Sequence, residues 1–181
     1  MTILLPGVSE QLINRAVPAQ TPAAATEAVV SGSQIVLTKP LKVGDIFQWR
    51  VNMSKTAAGT GNTNFKVKTN TTQVVATGTA GGAATAASLT GPVAETAAAG
   101  SAQVFVEAVV RAVDAANGIV DADLTVHSSL TPTTGFSNQQ IAATGTGLDT
   151  SNDILSVGLS ITTGAADVVT INYAEGRLLT T

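Results

Sequence analysis

The stretch Ser101–Leu130, SAQVFVEAVVRAVDAANGIVDADLTVHSSL, decides how the chain reads. Two alternating apolar and polar runs flank Asn117-Gly118, a strong short-range hairpin signal. In the second run Val120, Ala122, Leu124 and Val126 share one face, and Asp121, Asp123, Thr125 and His127 share the other. In the first, Val104, Val106, Ala108, Val110 and Ala112 lie together, against Gln103, Glu107 and Arg111. Strand side chains alternate with period two, so the apolar faces coincide only across a loop with an odd number of residues. A two-residue Asn-Gly turn would put Arg111 beside Leu124. The pattern predicts a loop of about three or five residues centred on Ala116. Val110 then faces Ala122, Val106 faces Val126, and Arg111 faces Asp121 on the outer side. This hairpin is expected at the centre of a sheet.

Upstream, Asp45–Met53 is the strongest single strand. Phe47, Trp49, Val51 and Met53 take one face and Gln48, Arg50 and Asn52 the other. The only Trp sits here, so this face is expected to anchor the core. After the Gly/Thr loop 54–64, Phe65, Val67 and Thr69 alternate with Lys66, Lys68 and Asn70. That reads as a hairpin with the preceding strand, its two lysines protecting a solvent edge. Short strands are expected at 28–31, 34–38, 73–76, 86–89 and 138–143, with a loop at 131–137. A last hairpin puts Leu155, Val157, Leu159 and Ile161 inward, and Val169, Ile171 and Tyr173 on the same face after a turn at 162–167. The fold class that follows is all-β: an antiparallel β-sandwich, jelly-roll-like, with an extended N-terminal arm. Residues 1–25 form the arm, punctuated by Pro6, Pro18 and Pro22, and 26–181 a single β-sandwich domain. Within the arm, Ser9–Ala16 reads as two helical turns at most.

The chain has 181 residues, 12% charged and 3% aromatic, with a net charge of −3. So few charges are hard to reconcile with a surface wetted on all sides, and point to burial against copies of the chain or a partner. No basic patch with interleaved aromatics favours nucleic acid. No run approaches the roughly 18 apolar residues of a membrane helix. The first ten residues lack the basic segment of a signal peptide. The absence of cysteine fits assembly in a reducing cytoplasm.

Chemistry is sparse. The single His127 lies on an outer strand face, without a Gly-x-Ser-x-Gly elbow. Asp121 and Asp123 share a face and are close enough to hold one cation, but Arg111 is available as the partner of Asp121. Asp149, Asn152 and Asp153 lack calcium-loop spacing. The Gly59–Gly61 turn has no third glycine and no following helix, so it is not a phosphate loop. A glycosidase cleft needs facing carboxylates and aromatic walls, and the chain has one Trp and one Tyr. These readings predict no enzyme, no cofactor, no metal and no small-molecule substrate.

Three segments carry a resemblance: FQWRVNMSKTAAGTGNTNFKVKTN (47–70), QVFVEAVVRAVDAANGIVDADLTVHSSL (103–130) and LDTSNDILSVGLSITTGAADVVTINYAEGRLL (148–179). In strand order and composition they are similar to bacteriophage virion structural proteins. The resemblance implies a jelly-roll capsid decoration or cement protein (minor head or tail), on the outer capsid surface of a virion assembled in the host cytoplasm. It would stabilise the shell as a homo-oligomer, a trimer, against the major capsid protein. The expected capsid or partner contacts are Ile3, Leu4, Leu5, Leu12 and Ile13 in the arm and Arg177, Leu178 and Leu179 at the C-terminal end, with loop 54–64. The alternative is a phage tail, fibre or baseplate component binding host surface glycans.

Overall fold

The structure is a computed structural model that describes residues 9–16, 19–56, 59–70, 84–94, 96–128, 139–151, 154 and 156–180. The expected strand at 73–76, the loop at 131–137 and the arm residues Ile3, Leu4 and Leu5 lie outside these. Eleven strands are described: β1 (Ser9–Ala16), β2 (Ala28–Val29), β3 (Ile35–Val36), β4 (Ile46–Lys55), β5 (Asn62–Asn70), β6 (Ala84–Ala94), β7 (Gly100–Ala112), β8 (Gly118–Ser128), β9 (Gln139–Leu148), β10 (Ser156–Thr162) and β11 (Val169–Thr180). They form a jelly-roll-like antiparallel sandwich. One sheet runs β1-β11-β4-β7-β8-β9; the other runs β2-β10-β5-β6, with β3 also on β10.

The β7–β8 hairpin lies inside the six-stranded sheet but not at its centre, which falls between β4 and β7. Its register pairs Ala108 with Ala122, Val106 with Leu124 and Val104 with Val126. That is two residues from the predicted register, so every side chain keeps its face. The loop is 113–117, centred on Ala115 and closed by a 3-10 turn at Ala115–Asn117. A bulge between Val110 and Ala112 takes Arg111 out of the ladder, yet its Nε still reaches Asp121 Oδ2 at 3.5 Å.

Between the sheets, Phe47, Trp49, Val51 and Met53 of β4 are buried with Val104, Val106, Leu124 and Val126. Opposite stand Phe65, Val67, Leu89, Val157, Leu159 and Ile161. Trp49 stacks on Phe47 at 5.8 Å, and its indole N–H donates to Ser33 O at 2.6 Å. That bond ties the six-stranded sheet to the loop entering β3. A β-carbon on Gly176 would lie 2.8 Å from the same carbonyl, so glycine is what lets β11 pass this close.

Several expectations are corrected. Residues 9–16 are a strand, not helical turns: they pair antiparallel with β11 from Ser9↔Thr180 to Ala16↔Ala174. The lysines of β5 do not protect an edge, because β5 lies between β10 and β6. Lys66 and Lys68 instead hold Glu27, at 2.8 and 3.3 Å. Neither β4–β5 nor β10–β11 is a hairpin; each connection crosses from one sheet to the other. Finally, a bulge between Ile171 and Tyr173 turns Tyr173 off the inner face, and Ala174 is buried in its stead.

The two crossovers meet where Thr56 N donates to Val168 O at 3.1 Å. Lys55 Nζ and Asp167 Oδ1 pair beneath them at 3.2 Å, both side chains fully buried. The ammonium also donates to Gly59 O and Thr96 O, at 3.0 and 2.9 Å. A β-carbon on Gly59, Gly61 or Gly164 would overlap the Asp167 carboxylate. The glycines of these loops are room for a buried ion pair.

Candidate functional site

The outer face of the six-stranded sheet receives the polar half of each alternating strand, and the register sets which residues meet. One row across β11, β4, β7 and β8 reads Arg177, Gln48, Glu107, Asp123. The next reads Glu175, Arg50, Phe105, Thr125, and a third Tyr173, Asn52, Gln103, His127. The first two rows, over Trp49 and Val106, line an open groove of about 470 Å³. Nine Lys/Arg and twelve Asp/Glu are all the charges the chain has, and five of them line this groove. About a quarter of the chain's charges thus meet in one groove.

Each side chain is held by a neighbour from another strand. Gln48 Nε2 donates to Glu107 Oε2 at 2.8 Å, and Gln140 Nε2 to Asp123 Oδ2 at 3.0 Å. Glu175 accepts from the Tyr173 hydroxyl and from Arg177 Nη2. The Arg50 guanidinium lies over the Phe105 ring, 5.8 Å from its centre, and with the Gln103 amide oriented to satisfy its neighbours, Arg50 Nε donates to it at 2.9 Å. The His127 ring meets Phe105 edge-on at 5.7 Å. Phe105, 38% exposed on a polar face, is the largest apolar ring left in the open among the described residues.

Glu107 and Asp123 stand directly opposite one another. Such positions put β-carbons about 4.5–5.5 Å apart, and like charges there are unfavourable. Asp123 Oδ1 meets no hydrogen-bond donor among the described residues and is shielded from solvent. Places where a fold breaks a local rule without structural gain are where function is expected.

The other sequence candidates fall elsewhere. Asp121 accepts from Thr144 Oγ1 at 2.8 Å besides its contact with Arg111, so the two aspartates of β8 have separate partners. Asp149 accepts from the Ser151 backbone and hydroxyl, which hold its carboxyl below the usual range; Asn152 and Asp153 lie outside the described residues. Among the described residues no three His, Cys, Asp or Glu are placed to hold a metal ion. Arg177 lines the groove, Leu179 is half-buried, and Leu178 is a core residue at 5% exposure, so it is not available as a surface contact. Leu12 and Ile13 lie on β1, where only the backbone path is described.

Sequence reading found the β7 and β8 sides of the groove but not the groove. Its other wall comes from β4 and β11, more than a hundred residues apart and adjacent only in the sheet. The available signal was the outward set of the β4 alternation, Gln48 and Arg50, read together with Glu175 and Arg177.

No family model and no curated protein matches the chain. Among solved structures it is similar to the marine PL-14 alginate lyase from Aplysia kurodai, at 8% identity and a TM-score of 0.41, over 97% of this chain and 91% of that one. It is also similar to the carbohydrate recognition domain of Emp46p in a metal-free form, at 9% identity and a TM-score of 0.31, over 93% and 86%.

Proposed function

We propose that the chain is a non-catalytic structural module of a virion: a capsid decoration or cement protein that binds the outer capsid surface as an oligomer and stabilises the shell. The observation that carries this reading is strand β9. Residues 141–147, IAATGTG, hold no charge and no proline. Among the described residues β9 hydrogen-bonds only to β8, and β6 of the other sheet runs along its far side. Its outward face, with Ala142, Thr144 and Thr146 exposed, is a small-residue, uncharged surface that fits close packing against another subunit.

The end of the sandwich supports the same reading. Gly44 N donates to Val110 O, and the nearby Val43 and Val113 are 60% and 40% exposed. In this role no bond is made or broken. A module that binds only the assembled shell stabilises it by mass action, by about 2.7 kcal/mol when its concentration is a hundred times Kd.

The test combines light scattering with co-sedimentation on undecorated capsids. Three proteins are compared: full length, a form lacking residues 1–8, and Ala142→Lys/Thr144→Lys. Removing 1–8 deletes Ile3, Leu4 and Leu5 but leaves β1 in place. The expected result is a full-length oligomer that pellets with capsids, a truncated oligomer that pellets poorly, and a lysine variant that is monomeric. A monomeric full-length protein that ignores capsids would end this reading.

A further inference from the structure

We propose that the groove on the outer face of the six-stranded sheet is a binding site for neutral oligosaccharides. The inference stands apart from the assembly reading, since the groove faces away from the core and lies inward of β9.

The volume, about 470 Å³, falls within the roughly 300–1,000 Å³ of small-ligand sites. Its lining has the two kinds of group a pyranose needs. Phe105, half-open between Arg50 and His127, offers a ring for the apolar C–H face of a sugar. Around it Gln48, Glu107, Asp123, Glu175 and Arg177 offer acceptors and donors for sugar hydroxyls. The carboxylates are already set by Gln48, Gln140 and Tyr173, so ligand binding orders few side chains. Glu107, exposed and directly opposite Asp123, accepts from a sugar hydroxyl in this arrangement, which eases the like-charge contact without a metal.

The charge balance selects the class. Three carboxylates face two guanidinium groups, and both guanidiniums already have partners in Glu175, Gln103 and the Phe105 ring. A uronate or sulfated chain would meet net negative charge; hexose and N-acetylhexosamine units would not.

Titration calorimetry and NMR chemical-shift mapping with cellopentaose, maltopentaose and chitopentaose, against an oligogalacturonate of equal length, test the proposal. The expected result is saturable binding of at least one neutral series, with no binding of the oligogalacturonate. Phe105→Ala and Asp123→Asn should each weaken binding at least tenfold, while Arg111→Ala, outside the groove, leaves it unchanged. Near-ultraviolet circular dichroism confirms that each variant is folded. Absence of binding by all three neutral series, binding of the oligogalacturonate alone, or binding indifferent to Phe105→Ala and Asp123→Asn in folded protein overturns the proposal. Loss of capsid binding with intact sugar binding, or the reverse, tells the failure of one reading from the failure of the other.

Discussion

Two of the places where charged side chains lie side by side resolve the cost of that in opposite ways. Under the crossovers, Lys55 and Asp167 are of opposite sign, sealed from water and caged by glycine backbone. On the outer sheet face, Glu107 and Asp123 are of the same sign, opposite in register and open to a groove. The first arrangement makes sense only as architecture: it fastens two crossovers that would otherwise be loose loops between sheets. The second fastens no crossover: amides from neighbouring strands hold each carboxylate, and water reaching Glu107 weakens the repulsion. A buried pair that is matched holds the fold; an exposed pair that is mismatched leaves chemistry free for something else.

The largest expected effect comes from breaking the buried pair. Asp167→Ala leaves the Lys55 ammonium in the interior without its counter-charge, which typically costs about 3–5 kcal/mol. Urea unfolding followed by Trp49 fluorescence should show this as a lower midpoint with little change in slope. Lys55→Met combined with Asp167→Ala should be less destabilised than the two single variants together, since removing both charges removes the stranded one. A loss below about 1 kcal/mol for Asp167→Ala would place the pair with ordinary surface bridges and undo the contrast.

This pair also marks where sequence reading stopped. Alternation around Trp49, in β7 and in β8 was legible because period two says which residues are buried. It does not say against what. A strand pair folded back in one sheet and a strand pair split between two sheets bury the same residues, so β4–β5 and β10–β11 read as hairpins. What distinguishes them is Lys55 and Asp167, charges at the ends of apolar strands beside Gly59, Gly61 and Gly164. Tyr173 failed for a different reason: one bulge reverses the parity of everything after it, and Tyr-Ala-Glu-Gly-Arg carries no mark of where the extra residue lies. The groove needs both pieces of knowledge, the sheet order and the reversed parity, because only then do Glu175 and Arg177 face the same way as Gln48 and Arg50.

A third cluster lies between the two extremes. Glu27 is partly open, at 24% exposure, and sits between Lys66 and Lys68 with Ser160 donating to it. Burial pushes its carboxyl up, but Lys66, Ser160 and Lys68 together outweigh burial and bring it down to about 2. A folded-state value below the unfolded one means stability present above the unfolded range and lost as pH falls through the folded one. Glu27→Gln should therefore cost about 1–2 kcal/mol at neutral pH, allowing for solvent screening, and the difference from the parent should close between pH 4.5 and about 2. Thermal melts of both proteins across that interval check it. A difference that persisted unchanged to the acid end would assign the effect to packing.

Exposed pairing should be worth still less. Arg111 and Asp121 are 63% and 46% exposed and 3.5 Å apart, and Arg111 is already outside the ladder. Arg111→Ala is expected to shift stability by no more than about 0.5 kcal/mol, within the range of surface ion pairs. A thermal melt showing a larger loss would mean that the bulge, not the solvent, governs this contact.

The last effect, a gain where the others are losses, is the most telling, because its sign differs between the two regions. Glu107→Gln keeps the size of the side chain and a hydrogen-bond acceptor for Gln48 Nε2, while removing one of two like charges at directly opposed positions. If the groove served folding, the substitution would destabilise the chain as Asp167→Ala does. In a groove kept open for a ligand it should be neutral or raise stability by about 0.2–1 kcal/mol. That gain should shrink as salt is added, since screening already weakens the repulsion it removes. Parallel urea titrations at low and high ionic strength read both the sign and its salt dependence. A stabilised Glu107→Gln that also loses sugar affinity would show, on a single residue, stability given up for binding.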